Sequence, residues 1–289
     1  IIFENSLEEH ILLKRDVLFH CLPYLLESSY FESTLNLMNK ISNIEFKDEV
    51  LLHTLLMRSL LKVDKNNVKK IDTVEQYYIH QLEKKKQLGI VSLAAPTFYN
   101  LGNQYRSLGE YYKSIQNYCR AKRADSSYLE RDYFFDEIAG ICFLLGKYNF
   151  SSKFYKKAIQ LGQKGLVEAK LADSLMFEGK YDEAINVFED YIKNNEQIDE
   201  EYLLKYLLLE KMIEFTGIKY QKRFITPFNN LGDISKANTN EERNVSLNRA
   251  LKLDLLSPLA WFNLAFLKNN ESDYENAMYF YANAAILQP

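Results

Sequence analysis

Four stretches of this sequence share one pattern: "LGEYYKSIQNYCRA" from Leu108, "LGKYNFSSKFYKKA" from Leu145, "EGKYDEAINVFEDY" from Glu178 and "ESDYENAMYFYANA" from Glu271. Their common anchors are Tyr111, Tyr148, Tyr181 and Tyr274. Three residues after each anchor stands a small residue: Ser114, Ser151, Ala184 and Ala277. Four further on stands an aromatic: Tyr118, Tyr155, Phe188 and Tyr281. Three beyond that stand Ala121, Ala158, Tyr191 and Ala284. Steps of three, four and three trace one stripe of an α-helix. Small residues in that stripe let a neighbouring helix approach, and the aromatic fills the space beside it. A second helical stripe precedes each anchor: Phe98, Leu101, Gly102 and Tyr105; Phe135, Ile138, Ala139 and Cys142; Leu171, Ala172 and Leu175; Trp261, Leu264 and Ala265. Gly109, Gly146 or Gly179 lies in the turn between the two helices, where a positive φ costs glycine little. The recurring unit is therefore a helix hairpin.

This pattern resembles the tetratricopeptide repeat: an aromatic, a Leu-Gly pair, a Tyr, then Gly-x-Tyr, Ala, an aromatic, Ala and a closing Pro. The match is close at 95–128 and at 258–289, where Trp261, Tyr274, Ala277, Tyr281, Ala284 and Pro289 fall in place. It is looser at 132–165 and 165–198, where Glu168 replaces the opening aromatic and Tyr191 the third small residue. The resemblance implies an all-α fold, a right-handed α-solenoid of helix hairpins.

The resulting division is a degenerate hairpin region over 1–94, three repeats over 95–198, a degenerate repeat with an insertion over 199–257, and a final repeat over 258–289. Apolar periodicity predicts helices over Leu7–Leu26, Phe31–Ile41, Glu49–Leu61, Val68–Leu88, Glu201–Phe215 and Glu241–Leu253. Pro23 is expected to kink or end the first of these. Between the last two, Thr216–Asn240 is rich in Gly, Asn and Ser, which predicts an irregular insertion. Its cluster of Lys219, Tyr220, Lys222, Arg223 and Phe224 reads as solvated loop and packing, with a partner or nucleic-acid contact as the alternative.

Chemistry has little support. His10, His20, His53 and His80 show no metal-ligand spacing. The adjacent acids Asp136-Glu137 and Asp182-Glu183 point to different azimuths of a helix, which is unsuited to a paired acid and base. "LGKY" and "EGKY" lack the spacing and the Ser/Thr of a phosphate loop. The expectation is a segment with no catalytic residue, no metal and no cofactor, and not itself an enzyme. A net charge of −3 argues against nucleic acid. No apolar run is long enough for a membrane span, and no signal peptide opens the chain. Cys21, Cys119 and Cys142 read as buried free thiols of a reducing, cytoplasmic setting. The chain opens without a Met and breaks off after a repeat, as an excerpt of a longer protein would.

Arrays of this kind bind partners on a concave face lined by the first helices. The resemblance places on that face Tyr99, Asn103 and Arg106, then Tyr133, Asp136 and Phe143, then Asp173 and Met176, and later Phe262 and Phe266. A chaperone-type carboxylate clamp is rejected, because Tyr99 stands where its first Lys belongs. The expected occupant is a protein or peptide, or another segment of the same protein, with Lys or Arg near an apolar residue; a small molecule is not expected. The expected setting is the sensor or partner-binding part of a larger intracellular, bacterial signalling ATPase-like protein. The alternatives are a peptide-binding bacterial regulator and the non-catalytic arm of an enzyme.

Overall fold

The structure, a computed structural model, describes residues 21, 24–25, 31–40, 68–86, 94–223 and 233–287. Most of the helices expected over Leu7–Leu26 and Glu49–Leu61, His10, His20, His53, Pro23, Phe224 and Pro289 lie outside the described residues. The helices are α1 (Phe31–Lys40), α2 (Val68–Lys86), α3 (Ala94–Ser107), α4 (Tyr111–Ala124), α5 (Asp132–Leu144), α6 (Tyr148–Gln160), α7 (Leu166–Glu178), α8 (Tyr181–Asn194), α9 (Glu200–Thr216), α10 (Asn240–Leu253), α11 (Pro258–Asn270) and α12 (Tyr274–Leu287). The described residues contain no strand. The described residues are all-α and built of helix hairpins packed in adjacent pairs. Of the three cysteines expected to be buried, Cys142 is buried, while Cys21 and Cys119 are exposed. The chain divides into two compact units, Ile1–Glu130 and Arg131–Pro289.

In the first unit α3 pairs with α4, and α2 packs against α3. The small residue of the second helix marks the point of closest approach. Ser114 donates its hydroxyl to the carbonyl of Gly102 at 2.7 Å, across the hairpin. A Cβ on Gly102 would lie 2.5 Å from the Tyr118 ring, so glycine there admits the aromatic of the partner helix. A polar network ties α2 to this hairpin. The single proton of the buried Tyr105 hydroxyl is shared between Asp72 at 2.7 Å and Glu75 at 2.6 Å. Asn117 and Arg120 also hold Glu75, and Lys113 holds Asp72 at 3.0 Å.

In the second unit α5 pairs with α6 and α7 with α8, while α6 packs on α7 and α8 on α9. Ser151 repeats the Ser114 contact, donating to the carbonyl of Ala139 at 2.9 Å. Ala184 and Ala277 occupy the same place without a hydroxyl and are buried. α11 pairs with α12, α10 packs on α11, and α9 reaches across to α12. Phe215 of α9 stacks edge-on against Phe280 at 4.8 Å between ring centres, and Phe280 meets Trp261 at 5.2 Å. Here the structure departs from the expected stripe. Phe280 rather than Tyr281 fills the hairpin core, and Tyr281 turns to an edge contact with Phe262 at 5.5 Å. The presence of α9 beside α12 draws the neighbouring ring inward.

Every first helix of the four registered hairpins ends in the same Schellman turn. The amides of Glu110, Lys147, Lys180 and Asp273 return to the carbonyls of Tyr105, Cys142, Leu175 and Lys268 at 2.7–2.9 Å. The left-handed residue in three of these turns is glycine; in the fourth it is Ser272, at φ 60°. A side chain in that conformation costs roughly 1–2 kcal/mol. Ser272→Gly is therefore expected to stabilise the chain by about 1 kcal/mol after the greater entropy of the unfolded glycine is counted. A denaturant midpoint that stays put or falls would contradict the shared turn geometry.

Between α9 and α10 the described chain is not helical. Residues 218–223 pass over the α7–α8 turn without regular secondary structure. The Gln221 amide donates to the Gly179 carbonyl at 2.9 Å, and the Asp182 amide donates to the Lys219 carbonyl at 3.1 Å. The basic cluster is thus solvated at Lys219, Tyr220 and Lys222 and packed at Arg223. Arg223 is buried, with an ion pair to Asp254 at 2.6 Å. Its 31-residue separation from Asp254 explains why no local pattern announced the contact.

Candidate functional site

The first helices carry the candidate contact positions, and the turn geometry fixes their register. In the first unit Tyr99 packs between Tyr118 and Tyr128, at 5.6 and 5.5 Å between ring centres. Asn103 accepts a hydrogen bond from the Tyr118 hydroxyl at 2.5 Å. Arg106 is half-buried on the same helix. Tyr99 and Asn103 therefore hold the Tyr118 ring in place, and each keeps part of its surface in solvent.

In the second unit the acids that the sequence offered to a basic ligand are already engaged. Asp136 of α5 accepts from Lys170 of α7 at 3.0 Å and from Gln163 at 3.1 Å. Asp173 of α7 accepts from Lys205 of α9 at 2.9 Å. Lys205 also reaches Glu201 at 2.8 Å and lies over the Tyr202 ring. Two successive links, α5 to α7 and α7 to α9, are thus each bolted by an acid-to-lysine pair. The second pair is buried, with side chains 10% and 8% exposed. Burial pushes the Asp173 carboxyl up, with Lys205 opposing it. Burial also works to lower the Lys205 ammonium, but the carboxylates of Asp173 and Glu201 outweigh it and hold the ammonium above its usual range. Glu201–Lys205 is an ordinary i, i+4 helix pair; the link to Asp173 has no signature in either helix.

Asp173 and Met176 are buried and form the floor between helices. Phe143 sits in an aromatic group with Tyr148 and Phe177, at 5.3 and 5.5 Å. Tyr133 is 38% exposed and accepts a hydrogen bond from Arg131. On α11, Leu259, Phe262 and Phe266 are 39%, 51% and 45% exposed, while Trp261, Leu264 and Ala265 are buried. The exposed three follow steps of three and four residues, one apolar stripe opposite the hairpin core. Leu259 occupies in α11 the register that Tyr133 occupies in α5, a correspondence the repeat offsets made legible.

Among the described residues, no group of three His, Cys, Asp or Glu side chains is arranged to hold a metal ion. No helix of the described residues is long and apolar enough to cross a membrane.

Residues 95–128 and 169–198 match the tetratricopeptide repeat family. With the hairpin geometry above, this identifies a tetratricopeptide-repeat module in the chain. No curated protein matches the sequence. Among solved structures the chain is similar to YrrB, described as a TPR protein with an unusual peptide-binding site. The two are 14% identical, the likeness covers 73% of this chain and 92% of that one, and the TM-score is 0.40. It is also similar to the TPR domain of P58(IPK), at 16% identity, 95% and 75% coverage and a TM-score of 0.26.

Proposed function

We propose that this chain is a recognition scaffold whose first helices take an extended polypeptide through apolar side chains. The observation that carries this is the stripe of Leu259, Phe262 and Phe266, left open on a helix whose opposite face is fully buried. Such rings suit an extended segment with an apolar side chain at every second or third residue. Tyr133 supplies an equivalent contact on α5. Asp136, Phe143, Asp173 and Met176 serve as the framework beneath, and Tyr99, Asn103 and Arg106 as the corresponding group of the first unit. Lys170 and Lys205 neutralise the two acids, so the face suits an apolar ligand rather than a basic one. The setting we propose is the partner-binding arm of a signalling ATPase-like protein, supported by the repeat architecture alone.

The test uses peptides selected from a displayed random library on the whole chain. Phe266→Ala and Tyr133→Ala should each weaken the selected peptides about tenfold or more, as hot-spot aromatics do. Tyr112→Ala, on a second helix and 72% exposed, should leave them unchanged. Affinity should vary little between low and high salt, since no unpaired charge is invoked. Equal loss from Tyr112→Ala, or a steep fall with salt, would overturn the reading.

A further inference from the structure

The irregular segment after α9 is held by a site that reads its side chains. Two main-chain hydrogen bonds fix it to the α7–α8 turn, one on each side of Tyr220. The side chains two residues apart then enter separate polar cradles. The Gln221 amide oxygen accepts from the Tyr181 hydroxyl at 3.1 Å and from the Leu255 amide at 2.7 Å. Its amide nitrogen donates to the Leu251 carbonyl at 2.9 Å. Arg223 forks onto both oxygens of Asp254 at 2.6 and 3.2 Å and donates to the Phe177 carbonyl at 2.9 Å. Its guanidinium lies 5.7 Å from the Phe177 ring centre. Lys222 between them and Tyr220 before them are exposed.

The cradle is made by residues outside the segment it holds. Asp254 is 1% exposed, and its carboxylate also accepts from the Leu256 amide at 3.1 Å, so it is oriented from its own side. Gly179 leaves the room in which the passing main chain fits: a Cβ there would lie 2.0 Å from the Gln221 carbonyl oxygen. A buried carboxylate, a planar fork and an amide read at both its ends specify Gln and Arg two residues apart. Shape alone would accept many sequences; this set of partners rejects most of them.

We propose that the α7–α8 turn and the α10–α11 link form a binding site for a Gln-x-Arg peptide, filled in cis by Gln221–Arg223. A cis segment competes at an effective concentration near the millimolar range, so a free peptide of the same pattern is shut out while the cis segment is intact. Weakening the cis segment opens the site to a peptide in trans. This site is separate from the α11 stripe, and its fate does not bear on that reading.

The experiment uses the whole chain with Gln221→Gly and Arg223→Gly together, and a dye-labelled acetyl-Lys-Tyr-Gln-Lys-Arg amide as probe. Anisotropy should show binding at least about tenfold tighter to this variant than to the parent, whose site is occupied. A peptide with Gln and Arg exchanged should not bind, and adding Asp254→Asn should abolish binding of the correct one. If the double variant is too unstable for titration, the correct peptide should raise its melting temperature and the exchanged peptide should not, because a ligand of the folded form stabilises it. Equal behaviour of the two peptides, or no binding and no thermal rescue at millimolar peptide, would overturn the proposal.

Discussion

Gly179→Ala is expected to cost roughly 3–5 kcal/mol, at the severe end for one methyl group. Two effects combine. The residue sits at φ 90°, where a side chain is strained, and the new Cβ would lie 2.0 Å from the Gln221 carbonyl oxygen and 3.1 Å from its carbon. Both are main-chain atoms, so no side chain can swing away; the segment over the turn must lift. Lifting it also withdraws Gln221 and Arg223 from their buried partners. Gly109→Ala is the control. It shares the positive φ, at 78°, yet nothing lies within 4 Å of its Cβ position. Only the conformational cost of about 1–2 kcal/mol applies there. Urea unfolding of both variants checks the contrast, and equal losses would show that the segment does not bear on Gly179.

Asp173→Lys is the second large effect. The substitution removes the acid and sets a second ammonium against Lys205 in the buried seam between α7 and α9. Breaking a buried pair by removing one partner costs about 3–5 kcal/mol, and reversal adds repulsion. Lys205 keeps Glu201 as a neighbour at 2.8 Å, which tempers the loss for Asp173→Asn but not for the reversal. Thermal melting should show Asp173→Lys far below the parent and Asp173→Asn between them. A reversal variant as stable as the parent would show that the pair is not the bolt between the two helices.

This outcome also marks where sequence reasoning stopped. The hairpins were legible because Tyr118, Tyr155 and Phe188, with the small residues before them, repeat at helical offsets within each second helix. The contact positions were legible only as a register. Whether a residue in that register meets solvent depends on what a helix some thirty residues away places beside it, as Lys205 does for Asp173. Ser272 was hidden for a related reason: a turn position held by glycine in three copies gives no sign that serine adopts the same φ in the fourth. The segment holding Gln221 and Arg223 carries no periodicity at all. Its order comes from partners at Gly179, Leu251 and Asp254, which only the folded chain brings together.

The claim that the first-helix face of the second unit receives a polypeptide can be tested by placing the photo-crosslinker p-benzoylphenylalanine at single positions. With a peptide selected from the displayed library, crosslinks should form from Phe262, Phe266 and Tyr133. They should be absent from Tyr112 and from Met278, which is 62% exposed on the second helix of the last hairpin. Crosslinks that form from Met278 or Tyr112, with none from Phe262 or Phe266, would place the partner on the other face and contradict the account.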